Sequence, residues 1–321
     1  MLRPIFATLL AFGVGAASAA DPAPRLIPVA EARPGQLVDL ASDFARFATD
    51  TARLPEAERI KAFHARYDSV VPGYYQRVGS AQTRFDAQIG KALSDFPADR
   101  DKFLSTVRTF KIALGNGEGH FRKLFPDYQL NVPVYLVHSI DTQDGGTRDV
   151  GDRTVLFFGA DVIAKIHDQS TIGPFLDHEL FHVYHGRYFK ECDRVWCSAW
   201  VEGLAVYVAA RANPGASDRQ LLLTQPRALR PEIEPRLKQA MCRLRAKFDS
   251  AGPDDYAEFF EGQANDRPFP PRYGYFLGYL LAAKIGRTRS VQEMAKLPPA
   301  RVKPLLTDAL AGYGPCQPVT P

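Results

Sequence analysis

The residues of this chain best suited to chemistry are two histidines four positions apart with a glutamate after the first: His178-Glu179-Leu180-Phe181-His182. On an α-helix, positions i and i+4 share a face, with Cβ atoms about 5–6 Å apart. Two imidazoles so placed can converge on one tetrahedral Zn²⁺, each nitrogen ~2.0–2.1 Å from the ion. Glu179 is placed to act as general base toward a water that the metal activates. A catalytic zinc takes three protein ligands and keeps one open position, so a third ligand must come from elsewhere. Glu202 is the candidate. It sits in the apolar helical run Trp200-Val201-Glu202-Gly203-Leu204-Ala205, where a lone carboxylate needs a partner and a metal is one. The chain between His182 and Glu202 is long enough to turn and return antiparallel, and Gly203 and Ala205 are small enough for a close helix–helix approach. His185 competes for the third place. Three ligands from one short helix would crowd one side of the ion, so His185 reads as a supporting or surface residue. The longer motif with a third histidine fails, because Tyr188 stands where that histidine would be.

His178, Glu179, His182 and Glu202 together resemble the gluzincin arrangement, the thermolysin-like class of zinc metallopeptidases. Glu202-Gly203-Leu204-Ala205, with the later Gly274-Tyr275-Phe276-Leu277-Gly278-Tyr279, is similar to bacterial families of predicted zinc-dependent proteases of unknown substrate. The resemblance implies a zincin-like catalytic region, one catalytic Zn²⁺ and a peptide or protein substrate. It also implies a small sheet above the His-Glu-x-x-His helix, with Val155–Phe158 as the edge strand that aligns substrate. Hydrolysis of an amide develops an oxyanion that a Tyr, His or Arg donor can support. Tyr275 is the first choice for that catalytic role and Tyr273 the second, while Arg272 could bind a substrate carboxylate or face water, with water the favoured reading. The expected activity is zinc-dependent hydrolysis of peptide bonds. The rival readings are a zinc amidase acting on cell-wall peptides and a zinc-binding pseudoenzyme that holds peptides without cutting them. Intact Glu179 speaks against the last.

The elements that must position these residues are mainly helical. Apolar residues recur at three- and four-residue steps in Leu37–Phe47, Ile60–Val71 and Phe103–Leu114, predicting a helical N-terminal lobe that ends at Gly115-Asn116-Gly117. The period then changes. Val132–Val137 and Thr154–Phe158 are β-branched and aromatic, predicting two strands joined by a long turn over Asp141–Asp152. Helical spacing resumes at Ile172, where Thr171 can cap the motif helix and Gly186 can end it. Arg236–Lys247 reads as an amphipathic helix with a solvated basic face. The fold class is therefore mainly α with a small sheet (α+β). The domains are a lobe over 21–125 and a catalytic region over 126–321, with the option that they are continuous. His64, His120, His138 and His167 lie outside any ligand-spaced cluster and read as structural or exposed.

The bulk numbers are those of an ordinary soluble globular protein, long enough to bury a catalytic core. The 321 residues are 45% apolar and 24% charged, and 40 basic residues against 36 acidic ones give a net charge of +4. Interspersed charge of that size argues against a nucleic-acid partner. Residues 1–20 read as a secretory signal peptide: a basic start, an apolar stretch too short to span a bilayer, and a small-x-small site before Asp21. That predicts a periplasmic or secreted protein with no membrane anchor after cleavage, and an extended, disordered lead-in up to Pro34. Cys192, Cys197, Cys242 and Cys316 are an even set in an exported chain, so disulfides are expected, with Cys192–Cys197 and Cys242–Cys316 the favoured pairing.

Overall fold

The computed structural model describes residues 25–190, 192–261 and 267–316; the expected signal peptide lies outside them. Helices dominate: α1 (Leu40–Asp50), α2 (Glu56–Tyr67), α3 (Ser80–Leu124), α4 (Ala160–Ile166), α5 (Ile172–His185), α6 (Val195–Ala212), α7 (Leu229–Ile233), α8 (Leu237–Ala246), α9 (Pro253–Phe260), α10 (Tyr273–Ile285), α11 (Val291–Ala295) and α12 (Pro299–Ala311). The strands are β1 (Leu37–Asp39), β2 (Val134–Val137), β3 (Gly145–Val150) and β4 (Arg153–Gly159). They form one four-stranded mixed sheet in the order β1-β2-β4-β3. β1 runs parallel to β2 and β2 to β4, with Leu37 opposite Val134 and Val134 opposite Leu156. β3 is antiparallel to β4, with Gly145 opposite Phe158. β2 and β4 are central and buried, which explains their continuous apolar runs.

Four expectations are corrected. The segment read as a long turn holds β3, so β4 is an inner strand and β3 the edge. β1 forms where a helical face was expected, because the edge of β2 offers it a ladder. α3 does not end at Gly115-Asn116-Gly117 but continues to Leu124. Its last turn is anchored by Phe121, whose ring lies 4.9 Å from Phe125, 4.8 Å from Tyr128 and 6.4 Å from Tyr184 of α5. Such packing outweighs the roughly 1 kcal/mol that each interior glycine costs. Finally, the lead-in is held against the core from Leu26 onward. Val29 and Ala32 are buried, Arg153 donates to both of their carbonyls, and Tyr135 donates to the Ile27 carbonyl at 2.8 Å.

β1 comes from the N-terminal region yet belongs to the same sheet as β4, and the buried side chains of the two regions form one continuous apolar cluster. Cys192 is bonded to Cys197 and Cys242 to Cys316. No helix among the described residues is long and apolar enough to cross a membrane.

Candidate metal centre

α5 carries His178, Glu179 and His182, and its burial on nearly every side follows from its position between α3, α6 and β3. Thr171 does not cap it by its side chain; the hydroxyl accepts from the Asp168 N–H instead, at 2.8 Å. α6 brings Glu202 to the motif. The closest backbone approach, however, is between α6 and α10. A Cβ on Gly203 would lie 2.1 Å from the carbonyl carbon of Gly278, and one on Gly278 would lie 2.0 Å from the Ala199 oxygen. This crossing sets Tyr275, one turn before Gly278, over the motif.

His178 Nε2 and His182 Nε2 are 3.0 Å apart, and Glu202 Oε2 lies 3.3 Å from the first and 3.4 Å from the second. A tetrahedron with arms of ~2.0–2.1 Å has edges of roughly 3.3–3.4 Å, so this triangle has the dimensions of three ligands on one Zn²⁺. The donor set of two imidazoles and one carboxylate suits the same ion. Glu179 is also close: one donor atom each from His178, Glu179 and His182 lie within 4.8 Å of one another. Its Oε2 is buried without a hydrogen-bond partner. That leaves Glu179 beside the ligand triangle, outside it, and with an oxygen to spare for water or substrate.

The electrostatics are those of a crowded, desolvated cluster. Burial holds the Glu179 carboxyl up at about 8. Burial also holds His178 below its ordinary value. At His182 burial pulls the same way, but the Glu202 carboxylate outweighs it and lifts the imidazole to about 9. Glu202 is in turn held well below the carboxylate range, because His182 and His178 outweigh the burial that opposes ionisation. A divalent cation would be held by His178 and His182 as neutral imidazoles and by Glu202 as a carboxylate.

The four residues line a cleft of about 380 Å³ whose other walls include Gly145, Gly146 and Thr147 of β3, Val201, Leu222, Arg272 and Tyr275. A Cβ on Gly145 would lie 2.8 Å from the Phe175 ring and 3.0 Å from the Glu179 carboxyl carbon, so only glycine lets the edge strand come this near the glutamate. The Tyr275 ring stacks 6.4 Å from His178. Tyr273 turns the other way: it is fully buried and donates to Glu258 Oε1 at 2.9 Å, outside the cleft. Arg272, expected in water, instead lies half-buried in the cleft with its guanidinium 4.4 Å from the centre of the Tyr275 ring. His185 is buried rather than on the surface. Its Nδ1 is 2.7 Å from the Ala295 carbonyl, and its ring stacks between Phe181 and Phe189, which locks the end of α5.

The remaining histidines each meet a carboxylate: His64 with Asp68 and Asp86, His120 with Asp177, His138 with Asp161 and His167 with Asp144. Sequence reading missed Gly145 and misplaced Arg272. The Gly145-Gly146 pair close upstream of a strand was the available signal for a near backbone approach. Comparison of the chain with protein-family models, with curated proteins and with solved structures gave no match.

Proposed function

We propose that the chain is a zinc-dependent peptidase of zincin type, with His178, His182 and Glu202 as metal ligands and Glu179 as general base. The observation that carries this reading is the ligand triangle with edges of 3.0, 3.3 and 3.4 Å beside a glutamate with an unpartnered oxygen. A zinc ion held by His178, His182 and Glu202 would supply Lewis acidity toward the amide carbonyl and would make water a stronger acid. Glu179 takes the proton of the attacking water and delivers it to the leaving amine, and its desolvated setting strengthens it as a base. Burial pushes the Tyr275 phenol above its ordinary value, so it stays a hydrogen-bond donor, suited to the developing oxyanion. β3 offers an open ladder edge along the cleft, to which an extended peptide can add.

The test is metal analysis joined to a peptide-cleavage screen on the protein purified without added metal. We expect about one zinc per chain, cleavage that a chelator stops and zinc restores, and loss of turnover on the order of 10²–10⁴-fold in Glu179→Gln with zinc retained. Glu202→Ala should lower zinc affinity. Full zinc affinity in Glu202→Ala, or cleavage insensitive to chelation, would sink the assignment.

A further inference from the structure

Arg272 is a cation that the cleft holds beside the Tyr275 ring. Its backbone is left-handed, with φ at +64°, a conformation that favours glycine and strains an arginine. That strain is spent at the first turn of α10, where it turns the guanidinium over the Tyr275 ring and into the space shared with the ligand triangle. Among the described residues no carboxylate comes within 4.0 Å of Arg272. Asp144 lines the same cleft, but its oxygens face His167 Nε2 at 3.3 Å and the Gly145 N–H at 2.9 Å. Glu202 faces the two histidines. A forked, permanently charged donor in a partly desolvated cleft matches one ligand group above others, a planar carboxylate.

Its position limits where that carboxylate sits on a substrate. The guanidinium is 4.4 Å from the Tyr275 ring centre, and that ring centre is 6.4 Å from His178. The two separations cap the guanidinium-to-imidazole distance at about 11 Å, and an extended chain advances ~3.3–3.6 Å per residue. Only one or two residues fit between a carbonyl at the ligand triangle and a carboxylate at Arg272.

Resting on the peptidase reading above, we propose that the cleft takes peptides by their free C-terminal carboxylate, bound by Arg272, and removes one or two residues from that end. One water is consumed. Its oxygen forms the new carboxylate of the shortened peptide, the C–N bond breaks, and the proton held by Glu179 goes to the amine of the released amino acid or dipeptide. Leu222 and Val201 line the same cleft with apolar surface.

The test uses the zinc-loaded Glu179→Gln protein and pairs of peptides without acidic side chains, each as free acid and as C-terminal amide, in titration calorimetry. The free acid should bind roughly ten- to a hundredfold tighter, the worth of a charge-assisted hydrogen-bonded pair. Adding Arg272→Gly, which suits the left-handed backbone, should erase that difference, and Arg272→Lys should keep part of it. Mass spectrometry of wild-type digests should show one or two residues leaving the free-acid end. Equal binding of acid and amide, or binding of neither, overturns the proposal. So does an amidated peptide with an acidic side chain near its end that binds as tightly as the free acid. Internal cleavage with equal binding leaves the peptidase reading intact, whereas acid-selective binding with no cleavage by wild type removes the peptidase reading and leaves the carboxylate site.

Discussion

At Gly145 the missing side chain is what lets the strand approach the cleft. The edge strand presses so near Glu179 that a single Cβ would touch both the carboxyl carbon and the Phe175 ring. Gly145→Val should therefore displace Glu179, the proposed base, while leaving His178, His182 and Glu202, the proposed ligands, in place. We expect turnover to fall on the order of a hundredfold, since displacements near 1 Å have that effect, with zinc content unchanged by atomic emission. Zinc loss in this variant would show that the strand supports the ligands instead. In the sequence Gly145 left only the faint signal of a Gly-Gly pair, and Tyr275 was preferred to Tyr273 only for its place one turn before Gly278. α10 is apolar around its whole circumference, so no stripe marks the face that meets α6. At 3.6 residues per turn the two tyrosines point about 200° apart, and only the Gly203–Gly278 contact decides which one sees the cleft. His178, Glu179 and His182, by contrast, are brought together by helical spacing alone.

Two tethers between elements make separate predictions. Gly278→Ala would place a Cβ 2.0 Å from the Ala199 oxygen, a backbone atom that cannot step aside without moving a helix. A loss of roughly 3 kcal/mol or more in urea unfolding is expected, and an unchanged midpoint would contradict the described crossing. The second tether is His64 of α2, 3.1 Å from Asp68 and 3.0 Å from Asp86 of α3. Burial lowers its pKa, but the two carboxylates outweigh burial and raise it above the ordinary value. A raised folded-state pKa gives stability that is fully present below the unfolded value of ~6.5 and is lost as pH rises through the folded value. The stability advantage of wild type over His64→Gln should thus be larger at pH 6 than at pH 9 by denaturant midpoints; the reverse trend would rule the tether out. At this scale the sequence revealed the helices and the two inner strands, whose apolar runs are long and buried. It concealed β3, because Gly-Gly-Thr-Arg-Asp-Val lacks an apolar face and is a strand only through its bonds to β4.

Across the whole molecule the disulfides are unequal. Cys242–Cys316 spans 74 positions and encloses α10, with Arg272 and Tyr275, whereas Cys192–Cys197 spans 5 and ties the connection after α5 to the first turn of α6. Loop-closure entropy assigns about 4 kcal/mol to the larger ring and about 2 kcal/mol to the smaller. Cys242→Ser should lower the melting temperature more than Cys197→Ser, and the opposite order would refute the entropic account. The spread of the cleft along the chain has a kinetic side as well. α5 and α6, which carry the ligand triangle, are neighbours in sequence and can meet early. The sheet behind Gly145 is different, since Leu37 of β1 must find Val134 of β2 about a hundred residues later, across the whole of α3. Contacts of such high contact order close slowly, whereas β3 beside the cleft pairs with β4 as a local hairpin. The helices that gather His178, His182 and Glu202 and the strand wall facing them can therefore form from near neighbours, and the far edge of the sheet closes last.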